Sequence, residues 1–298
     1  MKTVMDTCKV NKRVRLILGL NEENDWKCIN YYKQHEEIPT IGFSPDADFP
    51  CIYAEKSILT SYLNMNYTEY LNKDIVITNI DCNNNALNVV PKFCSCILRI
   101  NNTKISMDTF IHNLKSIIDN LNYEIDIYKI DYENLKLTSH GIQAHSAHPD
   151  LGINAISRLI IVLDKIFKEY KINIELFDFF DKFINTEYYG KSLNINFEDE
   201  SGKLTLNVGN FSFKNFILKI GMNIRVPINT PIVNVGNEFL KSLSNYINVD
   251  FDTPNYLPHL YIPKDDYLVK TLCQIYNKET NSNLEPIAIG RSNFCKSL

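Results

Sequence analysis

The chain has 298 residues, room for two domains or for one large domain carrying a second. Hydrophobic residues at 45% and charged residues at 22% give a globular balance that argues against disorder. Thirty-one Lys and Arg against 35 Asp and Glu leave a formal net charge of −4, which argues against a protein built to grip nucleic acid, and no apolar run reaches the roughly 18 residues that a membrane span needs.

The opening MKTVMDTCKVNKRV has no apolar stretch after its lysine and does not read as a secretory signal. Eight cysteines, at 8, 28, 51, 82, 94, 96, 273 and 295, are too sparse for a disulfide scaffold and form no CxxC pair. They read as free, mostly buried thiols of a reducing cytoplasm. Cys94 and Cys96, two apart, share a face if they lie on a strand.

Arg13 to Leu20 (RVRLILGL) reads as a short buried strand closed by Gly19. Asp25 to His35 reads as a helix, with Trp26, Ile29 and Tyr32 or Lys33 at spacings of three and four. Pro39 to Phe43 reads as a second short strand, and together these segments form an α/β unit. Its strand ends carry acidic residues, and in open parallel sheets sites are built at the carboxyl ends of strands. From about Glu55 the texture changes. DIVITNI, CSCILRI, EIDIYKI and LKLTSH read as strands, with amphipathic helices over Ser106 to Leu121 and Ile153 to Tyr170. After Asn194 a second such set follows: LTLNVGNFSF and NFILKIGMNIRVP as strands, then a helix over Val233 to Ile247. Residues 56–255 thus read as an α+β domain of two similar halves. Lys264 to Glu279 is again a helix, and LEPIAIG after it a strand that returns to the first sheet.

Four constellations carry chemistry. Glu22-Glu23 follows an apolar strand. Consecutive side chains on an extended backbone diverge, so one carboxylate can hold a metal while the other addresses its bound water; the alternative is a solvated pair. Asp46 and Asp48 sit between Pro45 and Pro50, a ligand loop or an ordinary Pro-Asp turn. Hard carboxylate oxygens suit zinc, manganese or cobalt. Gly141 to Pro149 (GIQAHSAHP) is a loop whose His145 and His148 are surface imidazoles, metal ligands or, singly, a donor polarising a substrate carbonyl. Arg225, in Asn223-Ile224-Arg225-Val226-Pro227 at a strand end, reads as a salt-bridge or carboxylate anchor.

Taken together these segments resemble one family. Gly19-Leu20-Asn21-Glu22-Glu23 with Asp25-Trp26-Lys27-Cys28 is similar to the GTDEESGWKC segment of PepV-like zinc dipeptidases. Their wider metallopeptidase family includes acetylornithine deacetylase, succinyl-diaminopimelate desuccinylase and aminoacylase. Gly42 to Pro50 (GFSPDADFP) is similar to that group's GFxPDADFP stretch. Residues 84–91 resemble its N(M/V)VP segment, and Gly141 to Ala155 its GxxAHxxxPxxGxNA loop. Asn223 to Pro227 follows its DIRYP, and Leu260 to Asp265 its PLYVPKD.

The resemblance implies two zinc ions, with manganese or cobalt possible, between a catalytic domain and an inserted lid. It implies Glu22 as general base, Glu23 and Asp46 as ligands of one zinc each, and His145 as a lid donor to the oxyanion. Asn88 and Arg225 would hold the substrate backbone, Arg225 through its C-terminal carboxylate. The fold class expected is α/β: a partial zinc-peptidase catalytic domain (1–55 and 256–298) with a large inserted α+β lid (56–255). The first and last parts are expected to share one sheet. The family has a zinc-binding His and a bridging Asp before its Glu-Glu pair and a ligand His near its end, with no counterpart in this chain. Asn21 and Asn223 stand where it has Asp. The expected function is therefore a cytoplasmic, metal-dependent dipeptidase acting on small peptides. As this chain alone it is expected to bind zinc weakly and to be inactive unless a separate chain supplies the missing segments. The alternatives are a non-catalytic peptide-binding subunit and, less favoured, a deacylase.

Overall fold

The computed structural model describes residues 11–20, 27–83, 86–290 and 296. The chain divides into two compact units, Met1–Phe49 with Ser292–Leu298 and Pro50–Arg291.

In the first unit the one described helix is α1 (Lys27–His35), which buries Ile29. Arg15 ties the segment before it to the segment after it: Nη1 donates to Tyr32 Oη at 2.5 Å and to the Glu37 carbonyl at 2.8 Å. Residues 13–20 and 39–43 are not strands, contrary to the sequence expectation. Leu16, Leu18 and Leu20 face solvent, as do Ile41 and Phe43. The physical reason is pairing. An apolar, branched run favours extended backbone, but a strand exists only through ladder hydrogen bonds to a neighbour. Neither segment has one among the described residues.

The second unit opens with β1 (Ile52–Glu55) and β2 (Ser57–Asn66), then β3 (Ile75–Asp81) and β4 (Phe93–Ile100). Helix α2 (Met107–Leu121) leads to β5 (Ile125–Lys129) and β6 (Asn134–His140), and helices α3 (Ala155–Glu169) and α4 (Glu175–Phe183) follow. A small hairpin of β7 (Glu198–Asp199) and β8 (Gly202–Lys203) precedes the long pair β9 (Thr205–Lys214) and β10 (Ile217–Val226). Then come α5 (Ile232–Ser242), β11 (Val249–Leu257), β12 (Leu260–Tyr261), α6 (Tyr267–Thr280) and β13 (Ile287–Ile289).

These strands form two four-stranded sheets, β11-β2-β10-β9 and β3-β4-β6-β5, and one three-stranded sheet, β12-β1-β13. In the last, β13 runs parallel to β1 with Ala54 opposite Ala288, while β12 is antiparallel. The two larger sheets and helices α2 to α5 share one apolar core, while β1 and α6 pack in a separate small cluster around Tyr53, Val269 and Cys273. Helix α3 is apolar nearly all round (Ile156, Leu159, Ile160, Leu163, Ile166, Phe167 buried), as a helix enclosed by other elements must be. Its N-cap is Asn154, whose side chain accepts from Ser157 N at 3.1 Å. The sequence reading ran α5 on to Ile247; it ends at Ser242 and a 3₁₀ turn, Leu243–Asn245, takes over.

The cysteines also need a correction. Cys82, just after β3, and Cys94, near the start of β4, form a disulfide with Cα atoms 4.4 Å apart. Both belong to antiparallel neighbours, and that brings residues twelve apart in sequence side by side. Cys28, Cys51, Cys96 and Cys273 are free. Burial pushes the Cys96 thiol up to about 12 and Cys51 up to about 11, so neither is a nucleophile at neutral pH.

Candidate functional site

The central sheet of the second unit carries polar residues where an apolar strand would be expected. On β10, Asn223 and Arg225 are two apart and so share a face. Across the ladder they stand opposite Asn207 and Thr205 of β9. All four are buried, Arg225 to 3% exposure. Buried polar groups must be paired, and two loops pair these.

The first loop runs from Ala86 to Lys92. Its Leu87 and Val89 carbonyls both accept from Asn207 Nδ2 at 2.8 Å. The second is the loop of residues 141–149. Val90 N–H donates to the Ala144 carbonyl, Ser146 N–H donates to the Asn88 carbonyl at 2.9 Å, and Val89 pairs with His145 as an isolated bridge. Thr205 Oγ1 reaches up from β9 to the Ser146 carbonyl at 3.0 Å. Pro149 and Gly152 end the loop in a 3₁₀ turn over Pro149–Leu151 rather than a helix, as the sequence suggests.

Arg225 is held on three sides. Its Nε donates to Asn223 Oδ1 at 3.0 Å and Ser146 Oγ at 3.2 Å; its Nη2 donates to Ser146 Oγ at 3.0 Å. Its Nη1 donates to the Gly290 carbonyl, just after β13. The Lys56 ammonium is close enough to interact with Arg225 electrostatically; it donates to the Lys203 carbonyl at 2.5 Å. Burial first, and then the Arg225 charge, hold Lys56 below the ordinary lysine range, against the pull of Asp199 and Glu198.

His145 is half-buried, and its Nδ1 accepts from the Ala147 N–H at 3.1 Å. An acceptor nitrogen carries no proton, so in the neutral ring the hydrogen sits on Nε2, which becomes a donor. His148 is exposed. The two imidazoles of the loop therefore differ: one has its tautomer set by the backbone, the other is solvated.

Of the residues singled out from the sequence, Asn88, His145 and Arg225 come together, all linked through Ser146. Asp46 lies in the first unit, exposed, in a loop where Ala47 has φ 73°. Glu22 and Glu23 lie outside the described residues. Among the described residues no three His, Cys, Asp or Glu side chains gather as a metal site. The hard carboxylate of Asp46 suits a divalent ion chemically but supplies only one ligand, fewer than a catalytic metal site normally holds. Sequence reasoning passed over Ser146, Thr205, Asn207 and Lys56. Only the adjacency of Ser146 to His145 pointed toward any of them.

Residues 133–224, from the end of the turn before β6 almost to the end of β10, match the peptidase dimerisation domain of the M20 family. The whole chain is 31% identical to a Bacillus subtilis protein named "Putative dipeptidase YtjP", aligned over 100% of this chain and 63% of that protein. It is 27% identical to "Putative dipeptidase SH1171" of Staphylococcus haemolyticus over 99% of this chain and 63% of that one. The chain thus spans 63% of the length of these relatives. An aminoacylhistidine dipeptidase structure from Vibrio alginolyticus aligns over 82% of this chain and 53% of that chain, with 11% identity and a TM-score of 0.34.

Proposed function

We propose that the chain, a relative of the M20 peptidases, is a metal-dependent dipeptidase of that family acting on short peptides, with His145 and Arg225 among its site residues. In this reading Arg225 receives the peptide's C-terminal carboxylate. Asn88 helps to hold the peptide backbone. His145 donates from Nε2 to the carbonyl oxygen as that oxygen gains negative charge, the step at which a fixed donor is worth most. Glu22 would serve as the general base, and Glu23 and Asp46 would be the residues that hold the metal, two zinc ions with manganese or cobalt as alternatives. When bound, such a metal would supply Lewis acidity and lower the pKa of its water.

The observation that carries the reading is a donor-tautomer imidazole at His145 next in sequence to Ser146, whose hydroxyl accepts from the buried Arg225 guanidinium. A merely structural arginine does not call for an adjacent histidine with a set tautomer. The test is dipeptide hydrolysis by the purified chain, alone and together with the segments that its longer relatives carry beyond the aligned region, stripped with chelator and reloaded with zinc. Turnover restored by metal, and abolished by Glu22→Gln, supports the reading. Peptide binding without turnover supports a non-catalytic peptide-binding subunit instead. Turnover of N-acylated amino acids but not dipeptides supports a deacylase.

A further inference from the structure

A serine hydroxyl has one hydrogen and two lone pairs to offer. Ser146 is completely buried, and it uses all three on the two polar residues of β10. Its hydrogen goes to Asn223 Oδ1 at 2.9 Å. Its lone pairs accept from Arg225 Nε at 3.2 Å and Nη2 at 3.0 Å. Nε and Nη2 form one edge of the planar guanidinium, so Ser146 Oγ orients that edge, with Asn223 Oδ1 beside it at Nε and the Gly290 carbonyl accepting from Nη1. The main chain of Ser146 is pinned as well, by the Asn88 carbonyl on one side and Thr205 Oγ1 on the other. The oxygen that orients Arg225 is therefore held through both its side chain and its main chain, and it belongs to the residue after His145.

We propose that Ser146 is the positioning residue for carboxylate recognition: it sets the Arg225 guanidinium and ties it to His145, so that the carboxylate anchor and the carbonyl donor share one geometry. This rests on the reading above, in which Arg225 binds the substrate carboxylate. A residue that only fills space between loop and sheet predicts something different. Its loss lowers stability but leaves the preference for a carboxylate untouched.

The experiment uses the zinc-supplemented full chain and two probes that differ only in the terminal group, leucylglycine and leucylglycinamide, with binding followed by calorimetry. The wild type is expected to prefer the acid, and Arg225→Ala to lose that preference. Ser146→Ala is expected to lose about tenfold in affinity for the acid with little change for the amide, the scale of one charge-assisted hydrogen bond. If Ser146→Ala does not fold, Ser146→Cys keeps the volume, replaces a strong acceptor by a weak one, and is read the same way. A folded Ser146 variant with the wild-type acid-to-amide ratio overturns the proposal while Arg225→Ala still abolishes the ratio. A ratio that survives in Arg225→Ala, or a wild type without one, overturns the parent reading and the role of Ser146 with it.

Discussion

Gly209 of β9 lies directly against the backbone of Leu87. A Cβ built on residue 209 would stand 2.5 Å from the Leu87 Cα and 2.7 Å from its carbonyl oxygen. Those are main-chain atoms with nowhere to rotate, so only a residue without a side chain lets the loop of residues 86–92 lie flat on the sheet. That close approach is what allows Asn207, two residues before, to donate to both Leu87 and Val89.

Gly209→Ala should lift this loop from β9. The expected cost is about 1–3 kcal/mol, the usual range for an overpacked site, measured as the shift in urea midpoint at constant slope. The damage should also be local. Ser146 N–H, bonded to the Asn88 carbonyl of the same loop, should exchange with deuterium faster in the variant. An unchanged exchange rate at Ser146 would show that the loop and the candidate site are not mechanically linked.

The same loop is closed at its base by Cys82 and Cys94, twelve residues apart. Loop-closure entropy for that length gives about 3 kcal/mol of stabilisation on the chain-entropy estimate. Cys82→Ser should therefore lower unfolding stability by about that amount, and reduction of the wild type should do the same. Thiol titration of the denatured protein should find two fewer thiols before reductant than after. Equal counts would mean the two sulfurs are a contact pair of free thiols, and the stability loss should then be absent.

Much of the second unit was legible in the sequence because its signals are local. The helix expected over Ser106 to Leu121 is Met107–Leu121, and the alternating runs around residues 75–81, 93–100 and 134–140 are strands. The failures are those where a local signal needs a distant partner. Arg13 to Leu20 has the composition of a buried strand, yet composition cannot supply the neighbouring strand. The Cys82–Cys94 pair depends on hairpin register rather than on spacing. At the site, His145 and Arg225 stood out as chemically rare types in a loop and at a strand end. Ser146 and Thr205 are common residues, and their importance comes only from what they touch.

Helix α3 holds an ion network that makes stability depend on pH. Lys168 Nζ bridges Asp164 at 2.7 Å and Asp178 at 2.5 Å. Burial raises the Asp164 carboxyl despite the lysine. Asp178 is also pushed up by burial, but hydrogen bonds from Lys168 and Tyr246 more than offset this and leave it lowered. The signs are opposite. Asp178 adds stability above its unfolded value that is lost as pH falls through its folded value. Asp164 loses stability as pH rises from its unfolded value through its raised folded value. Removing the cation by Lys168→Met should leave two carboxylates facing each other. The expected loss at pH 7 is about 1–2 kcal/mol, discounted from the buried-pair range because Lys168 is 41% exposed. Between pH 7 and a pH low enough to protonate Asp164, whose carboxyl is raised by burial, the deficit should shrink. Urea midpoints of both proteins at the two pH values measure this, and a deficit that grows on acidification contradicts the assignment.

The last expectation concerns His145. The Ala147 amide 3.1 Å from Nδ1 leaves that nitrogen as an acceptor, so Nε2 should carry the hydrogen. Imidazole ¹⁵N shifts can check this without any assay, since Nδ1 should show the unprotonated, pyridine-like position at neutral pH. The catalytic consequence follows from charge development. A donor aimed at a carbonyl oxygen helps little in the ground state and most when the oxygen becomes an anion, and losing one such donor costs about 10²–10³ in kcat. In preparations that hydrolyse dipeptides, His145→Phe keeps an aromatic ring but no donor. It should therefore lower kcat on that scale with little change in KM. The exposed His148 is the internal control, because among the described residues no hydrogen bond to its ring sets a tautomer, and His148→Phe should leave turnover near wild type. Two outcomes would remove His145 from the chemistry. One is a rise in KM with kcat intact, the signature of lost uniform binding; the other is an equal effect at both histidines, which would point to the loop as a whole.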